Sequence, residues 1–188
     1  LIQHDLNKPS FLYDPQCIAT PDSFSDGGLF LDPSAAVERA LSMVRAGADI
    51  IDVGGESTRP GAAPVTEAEE LARVMPVLEA LKQRFPVSLS VDTSTPSVMR
   101  AAFTLGVEMI NDVRALTREG ALSACAEGDA YIVLMHMQGT PATMQRAPQY
   151  VDLFGEINQF FEDRISACAE AGINVSRLIP VSYTHLTL

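Results

Sequence analysis

Tryptophan is absent from the 188 residues, and aromatic residues make up only 6% of them. A core built from this chain is therefore aliphatic, drawn from the 47% of residues that are hydrophobic. Basic residues are scarce: 13 Lys and Arg stand against 24 Asp and Glu, for a net charge of -11. Such a chain gains nothing from a phosphate backbone, which argues against nucleic-acid binding, but it leaves room for a local cationic pocket. Cysteine is sparse too. Cys17, Cys125 and Cys168 lie far apart and form no metal-spaced pair. They fit buried thiols in a reducing compartment better than a disulfide framework. No apolar run approaches the roughly 20 residues that span a bilayer, so no membrane segment is expected. No basic segment followed by an apolar one opens the sequence, so no signal peptide is expected and a cytoplasmic location is. No Gly-x-Gly-x-x-Gly turn follows an early strand, which weakens a dinucleotide-binding reading. His136 has no second His or Cys at ligand spacing, so no zinc site is visible.

The residues that are present alternate two patterns. Near-continuous apolar runs at 48–53, 87–91, 107–110 and 130–135 read as strands covered on both faces. Helical patterns lie between and around them. Asp32 reads as an N-cap with Pro33 behind it, opening a stripe of Val37, Ala40, Leu41 and Val44 that Gly47 closes. Thr66 and Glu69 fit a capping box ahead of Leu71, Val74, Leu78 and Leu81, with a kink or break expected at Pro76. Thr95 and Pro96 start a third helix that stops at Gly106. A short helix follows from 120 to 127, and a long one from about 152 to 171 carries Leu153, Ile157, Phe160, Phe161, Ile165 and Cys168 on one side. Repeated strand–helix units predict an α/β fold with parallel strands. A doubly wound sheet and a (β/α)8 barrel both fit. Asp52 near one strand end, Asp92 at the next, Asn111 and Asp112 at the third and His136 at the fourth favour the barrel, whose strand ends converge on one mouth.

Two loops carry further chemistry. TPDSFSDGG at 20–28 reads either as a surface turn or as a loop that closes on a ligand, with Gly27 and Gly28 as hinges and Phe24 as an apolar wall. GGESTRPG at 54–61 places Ser57 and Thr58 hydroxyls beside Arg59, a fixed cation suited to phosphate oxygens, or else is a solvated linker. Asp92 and Asn111 together match a flat heterocycle with donor and acceptor edges, or each caps a following helix. Asp112 reads as structural. A lone His136 at a strand end is more often hydrogen-bonded structure than a catalyst.

These motifs together resemble the dihydropteroate synthase family. The resemblance rests on TPDSFSDGG at 20–28, ADIIDVGGESTRPG at 48–61, SVDTS at 90–94, INDV at 110–113 and LMHMQG at 134–139, in the family's order. It implies a TIM (β/α)8 barrel that condenses 4-aminobenzoate with a dihydropterin methyl diphosphate, giving dihydropteroate and diphosphate in folate synthesis. It implies Asp92 and Arg59 as catalytic residues. Thr58, Asp92, Asn111, Asp52 and Met135 would hold the pterin diphosphate, and Phe24, Ser57 and Pro60 would line the aminobenzoate pocket, where sulfonamides compete. The implied reaction is dissociative, with the C–O bond to diphosphate loosening before the amine attacks. Magnesium is the family's expected ion and a homodimer its common assembly. A non-catalytic pterin-binding fragment and a methyltransferase-type pterin domain are the alternatives.

The departures from the family are local. Ile18 stands where the family has its Asn magnesium ligand, so no metal ligand is assigned here. Residues 1–19 match poorly, 20–179 form the barrel portion, and 180–188 read as a non-family tail resembling translated vector sequence. Val181 falls where the family has a pterin-binding Asp, and the family's later Lys and Ser-x-Arg-x-His motif are not found. About five to six of eight βα units are expected, which predicts an unclosed, inactive barrel that associates with other chains.

Overall fold

The structure, a computed structural model, describes residues 32–57, 64–140 and 149–182. Five helices and five strands alternate along these stretches: α1 (Pro33–Arg45), β1 (Ile50–Gly54), α2 (Glu67–Arg84), β2 (Ser88–Asp92), α3 (Pro96–Leu105), β3 (Met109–Asp112), α4 (Ala121–Ala126), β4 (Tyr131–His136), α5 (Leu153–Glu170) and β5 (Leu178–Ser182). Each strand pairs in parallel with the next one in sequence, in the order β1-β2-β3-β4-β5. A doubly wound sheet reverses its strand order at a switch point, and this sheet does not. Its sequential order is the one that curls into a barrel.

Helix starts follow the local chemistry. The Asp32 side chain accepts from the Ala35 amide at 3.2 Å and Pro33 needs no partner at the first position. Thr66 and Glu69 form the reciprocal box: the Glu69 amide donates to Thr66 Oγ1 at 3.3 Å, and the Thr66 amide to Glu69 Oε2 at 2.9 Å. α2 then runs unbroken through Pro76, so the break that proline threatened does not occur. Pro76 and Ala72, whose carbonyl loses its partner, both lie on the exposed side of the helix, where the lost bond costs least. Gly106 ends α3 in the left-handed conformation, at φ 76°.

Strand alternation divides the sheet into two faces. Ile51, Val53, Leu89, Val91, Ile110, Ile132 and Leu134 point outward into one aliphatic core with Val74, Leu78 and Leu81 of α2 and Val98 and Ala102 of α3. Each fully buried Val, Leu or Ile stabilises by about 1.5–3 kcal/mol, so this outer layer holds the strands in place. The inner face is thereby free to carry polar groups.

Candidate functional site

The inner face carries two rows set by the strand register. Asp52 pairs with Ser90, which pairs with Met109. One level nearer the strand ends, Gly54 pairs with Asp92, Asp92 with Asn111 and Asn111 with Val133. Asn111 Nδ2 reaches across to donate to Asp52 Oδ2 at 2.9 Å. Asp52, Ser90 and Asn111 are buried and Asp92 is half-buried. Asp52 Oδ1 and Ser90 Oγ are buried without a full hydrogen bond among the described residues. Orphaned acceptors in a buried place are costly, and a ligand with N–H donors would relieve them.

The electrostatics sharpen this need. Burial pushes the Asp52 carboxyl above its ordinary range, while Ser90 and the Asn111 amide pull it back. Asp92 is pushed up further still: burial comes first, then the negative charges of Asp52, Asp112, Glu70 and Glu56. Four carboxylates, two of them on the outer side of the sheet, therefore act on a fifth. This concentration of negative charge suits a ligand that brings donors or develops positive charge.

A frame of polar side chains holds the mouth. Asp112 lies on the outer face, where Ser94 Oγ donates to it, as do the Arg114 amide at 2.9 Å and the Leu116 amide at 2.7 Å. Those bonds fix a turn in which Ala115 and Leu116 both take positive φ, 49° and 58°. Arg164 of α5 supports the same turn, donating to the Ala115 carbonyl at 2.8 Å and the Leu116 carbonyl at 3.0 Å. The turn aims Arg114 at Glu56, in a two-pronged ion pair at 3.1 and 3.2 Å. Behind β2, Glu70 of α2 accepts from Thr93 Oγ1 at 2.5 Å and from Thr95 Oγ1.

Of the residues singled out from sequence, Asp52, Asp92 and Asn111 share the inner face. Met135 lies on that face one level further along, packed with Val113 and in register with Val181 of β5. Ser57 is buried just after β1. His136 turns to the other side, between Phe160 at 4.9 Å and Phe161 at 6.2 Å between ring centroids, and its basicity is lowered by burial. Ile18, Phe24, Thr58, Arg59 and Pro60 lie outside the described residues. Six residues of the frame escaped the sequence reading: Glu56, Glu70, Thr93, Ser94, Arg114 and Arg164. Glu56, Thr93 and Ser94 sit inside quoted motifs, and Arg114 directly follows one. Glu70 had its own mark, for it opens the buried stripe that continues at Val74, Leu78 and Leu81.

The family model described as pterin binding enzyme matches residues 17–180. The chain belongs to the pterin-binding enzyme family. The dihydropteroate synthase of Escherichia coli (strain K12) is 55% identical over 160 residues, which is 85% of this chain and 57% of that protein. The Yersinia pestis dihydropteroate synthase, solved in complex with a sulfonamide drug, has a TM-score of 0.83 and 51% identity, covering 87% of this chain and 60% of that one. The Xanthomonas albilineans dihydropteroate synthase, solved with 4-aminobenzoic acid, has a TM-score of 0.75 and 49% identity, covering 87% and 58%. The chain thus spans a little over half the length of the pterin-binding relatives it matches, and its five-stranded sheet is part of a TIM barrel.

Magnesium is the ion expected with this family. Among the described residues no three His, Cys, Asp or Glu side chains gather into a metal-binding set. Ile18, at the position the resemblance gives to the metal ligand, carries no oxygen donor. No helix among the described residues is long and apolar enough to cross a membrane.

Proposed function

We propose that this chain carries the pterin half of a dihydropteroate synthase site, and that the whole protein condenses 4-aminobenzoate with 6-hydroxymethyl-7,8-dihydropterin diphosphate. The observation that carries this reading is the inner-face cluster of Asp52, Asp92 and Asn111, in a chain 55% identical to a dihydropteroate synthase. A pterin ring presents N–H and amino donors beside a carbonyl acceptor. Asp92 accepts from the donors, and Asn111 completes the edge with its amide while holding Asp52. Binding then relieves the crowding of carboxylates around Asp92.

In the reaction so proposed, the C–O bond to diphosphate breaks and its electron pair leaves with diphosphate. The pterin methylene becomes positive, and the negative charge of Asp52 and Asp92 stabilises it. The amine nitrogen of 4-aminobenzoate forms the new C–N bond and gives up a proton, which the released diphosphate takes up. By resemblance, Thr58 and Arg59 hold the diphosphate, and Phe24, Ser57 and Pro60 wall the aminobenzoate. Cytoplasmic location and homodimeric assembly belong to the same reading.

Val181 favours a second reading for the chain as it stands. An apolar side chain occupies a position, in register with Met135, where the resemblance puts a carboxylate. The chain then binds the pterin without turnover. Diphosphate release from dihydropterin diphosphate and 4-aminobenzoate separates the two. The expected result is pterin binding with no release above background. Turnover at the rate of an intact relative contradicts the inactivity, and absence of both binding and turnover contradicts the site.

A further inference from the structure

Among the described residues, Glu70 is a deeply buried acid that the proposed chemistry does not use and that accepts from no backbone amide. It is 2% exposed, yet among the described residues no Lys or Arg pairs with it directly. Both carboxylate oxygens instead accept hydroxyls: Oε1 from Thr93 at 2.5 Å and Oε2 from Thr95. Those two residues are the first and third after Asp92. The turn is closed by the Thr95 amide, which donates to Thr93 Oγ1 at 3.0 Å, and by the Thr93 amide, which donates to the Asn111 carbonyl at 3.1 Å. Arg118 Nη1 donates to Thr95 Oγ1 at 2.7 Å from the far side. Thr95 precedes α3 in the N-cap position, but its hydroxyl makes no cap bond because it is committed to Glu70. A Thr that gives up its usual role, and a carboxylate that gives up solvation, are both spent on one turn.

We propose that Glu70 is a positioning residue for Asp92: through Thr93 and Thr95 it fixes the turn that leaves β2, and so sets how the Asp92 carboxyl meets the pterin. This inference rests on the pterin reading of the inner-face cluster and names a residue of α2 as part of its support. Glu70 also acts on Asp92 as a charge. Among the described residues the groups around Asp92 are Asp52 of β1, Glu56 of the following loop, Glu70 of α2 and Asp112 of β3, and all four raise its pKa. Of the nearby cations, Arg114 is engaged by Glu56 and Ser94, Arg118 by Thr95, and Arg73 by the Gly55 carbonyl at 3.0 Å. Replacing Glu70 by its uncharged isostere removes one repelling charge, so Asp92 ionises at lower pH. A residue that merely fills space would leave that midpoint alone.

The test uses the full chain with carboxyl-labelled aspartate, the Asp92 signal being assigned with Asp92→Asn. In Glu70→Gln the Asp92 titration midpoint falls by about half a pH unit or more. Calorimetry with 6-hydroxymethylpterin above both midpoints shows affinity weakened about tenfold, one buried charge-assisted hydrogen bond's worth. A folded Glu70→Gln chain with the parent's midpoint and affinity overturns the proposal. Should that variant fail to fold, Thr95→Val keeps the carboxylate and removes one donor. It is expected to bind the pterin several-fold more weakly, and parent-like affinity overturns the proposal. If the parent chain binds no pterin, the pterin reading fails, and the Asp92 midpoint in the free Glu70→Gln chain decides on Glu70 alone.

Discussion

Asn111 faces two demands at once, since one amide must both hold Asp52 and meet a ligand. Its Nδ2 is the donor to Asp52 Oδ2, whose partner oxygen has none among the described residues. Asn111→Ala therefore strips a buried carboxylate of its last full hydrogen bond. The expected cost is about 1–3 kcal/mol at neutral pH, read from urea unfolding. Asp92 behaves in the opposite sense. A carboxyl whose folded pKa lies above its unfolded value stabilises the fold only when protonated. That stability is fully present below the ordinary carboxylate value of about 4 and is lost as pH rises through the raised value. Asp92→Asn removes the penalty, so the variant melts higher than the parent at neutral pH, and the difference narrows as pH falls toward about 4. Thermal melts across that range check the sign. A variant that melts lower at neutral pH contradicts the electrostatic picture of the mouth.

At the scale of elements, β1 and α2 meet at Gly55, where a side chain has no room. An added Cβ would lie 2.9 Å from Val74 Cγ2 and 3.2 Å from the Glu70 carbonyl oxygen. Val74 is buried and the carbonyl belongs to helix backbone, so neither yields cheaply. Gly55→Ala should cost about 1–3 kcal/mol in denaturant unfolding, as overpacking does. The elements themselves were largely legible in the sequence. The apolar runs ended at Val53, Val91, Ile110 and Met135, and the polar residues read as strand ends, Asp92, Asp112 and His136, are the last of β2, β3 and β4. Each strand keeps its hydrogen bonds for one or two residues after the hydrophobic pattern stops, because its last residues face the mouth or a polar turn. The pattern of burial therefore undercounts a strand at the end where function sits. Glu70 was passed over for a related reason. A Glu in the first turn of α2 has the ordinary explanation of helix-dipole stabilisation, which masks its place at the head of the stripe of Val74, Leu78 and Leu81.

For the whole molecule, the two sides of the sheet differ in how well they are covered. The strands β1 to β4 are backed by α1 to α4, but β5 is half-buried along most of its length. Only Cys168 of α5 is fully buried, while Phe154 is 78% exposed and Leu153 37%. Among the described residues β5 has no strand partner on its outer edge, and Pro180 lies within it, as suits an edge. An uncovered edge beside exposed apolar side chains favours association. Sedimentation should show a mass that grows with concentration, and a monomer throughout the range contradicts this. The central claim, that the inner-face cluster of Asp52, Asp92 and Asn111 is a pterin site, is tested most directly by calorimetric titration of the chain with 6-hydroxymethylpterin. Saturable heat that Asp92→Asn abolishes is the predicted result, and no heat at millimolar pterin from a folded chain would contradict it.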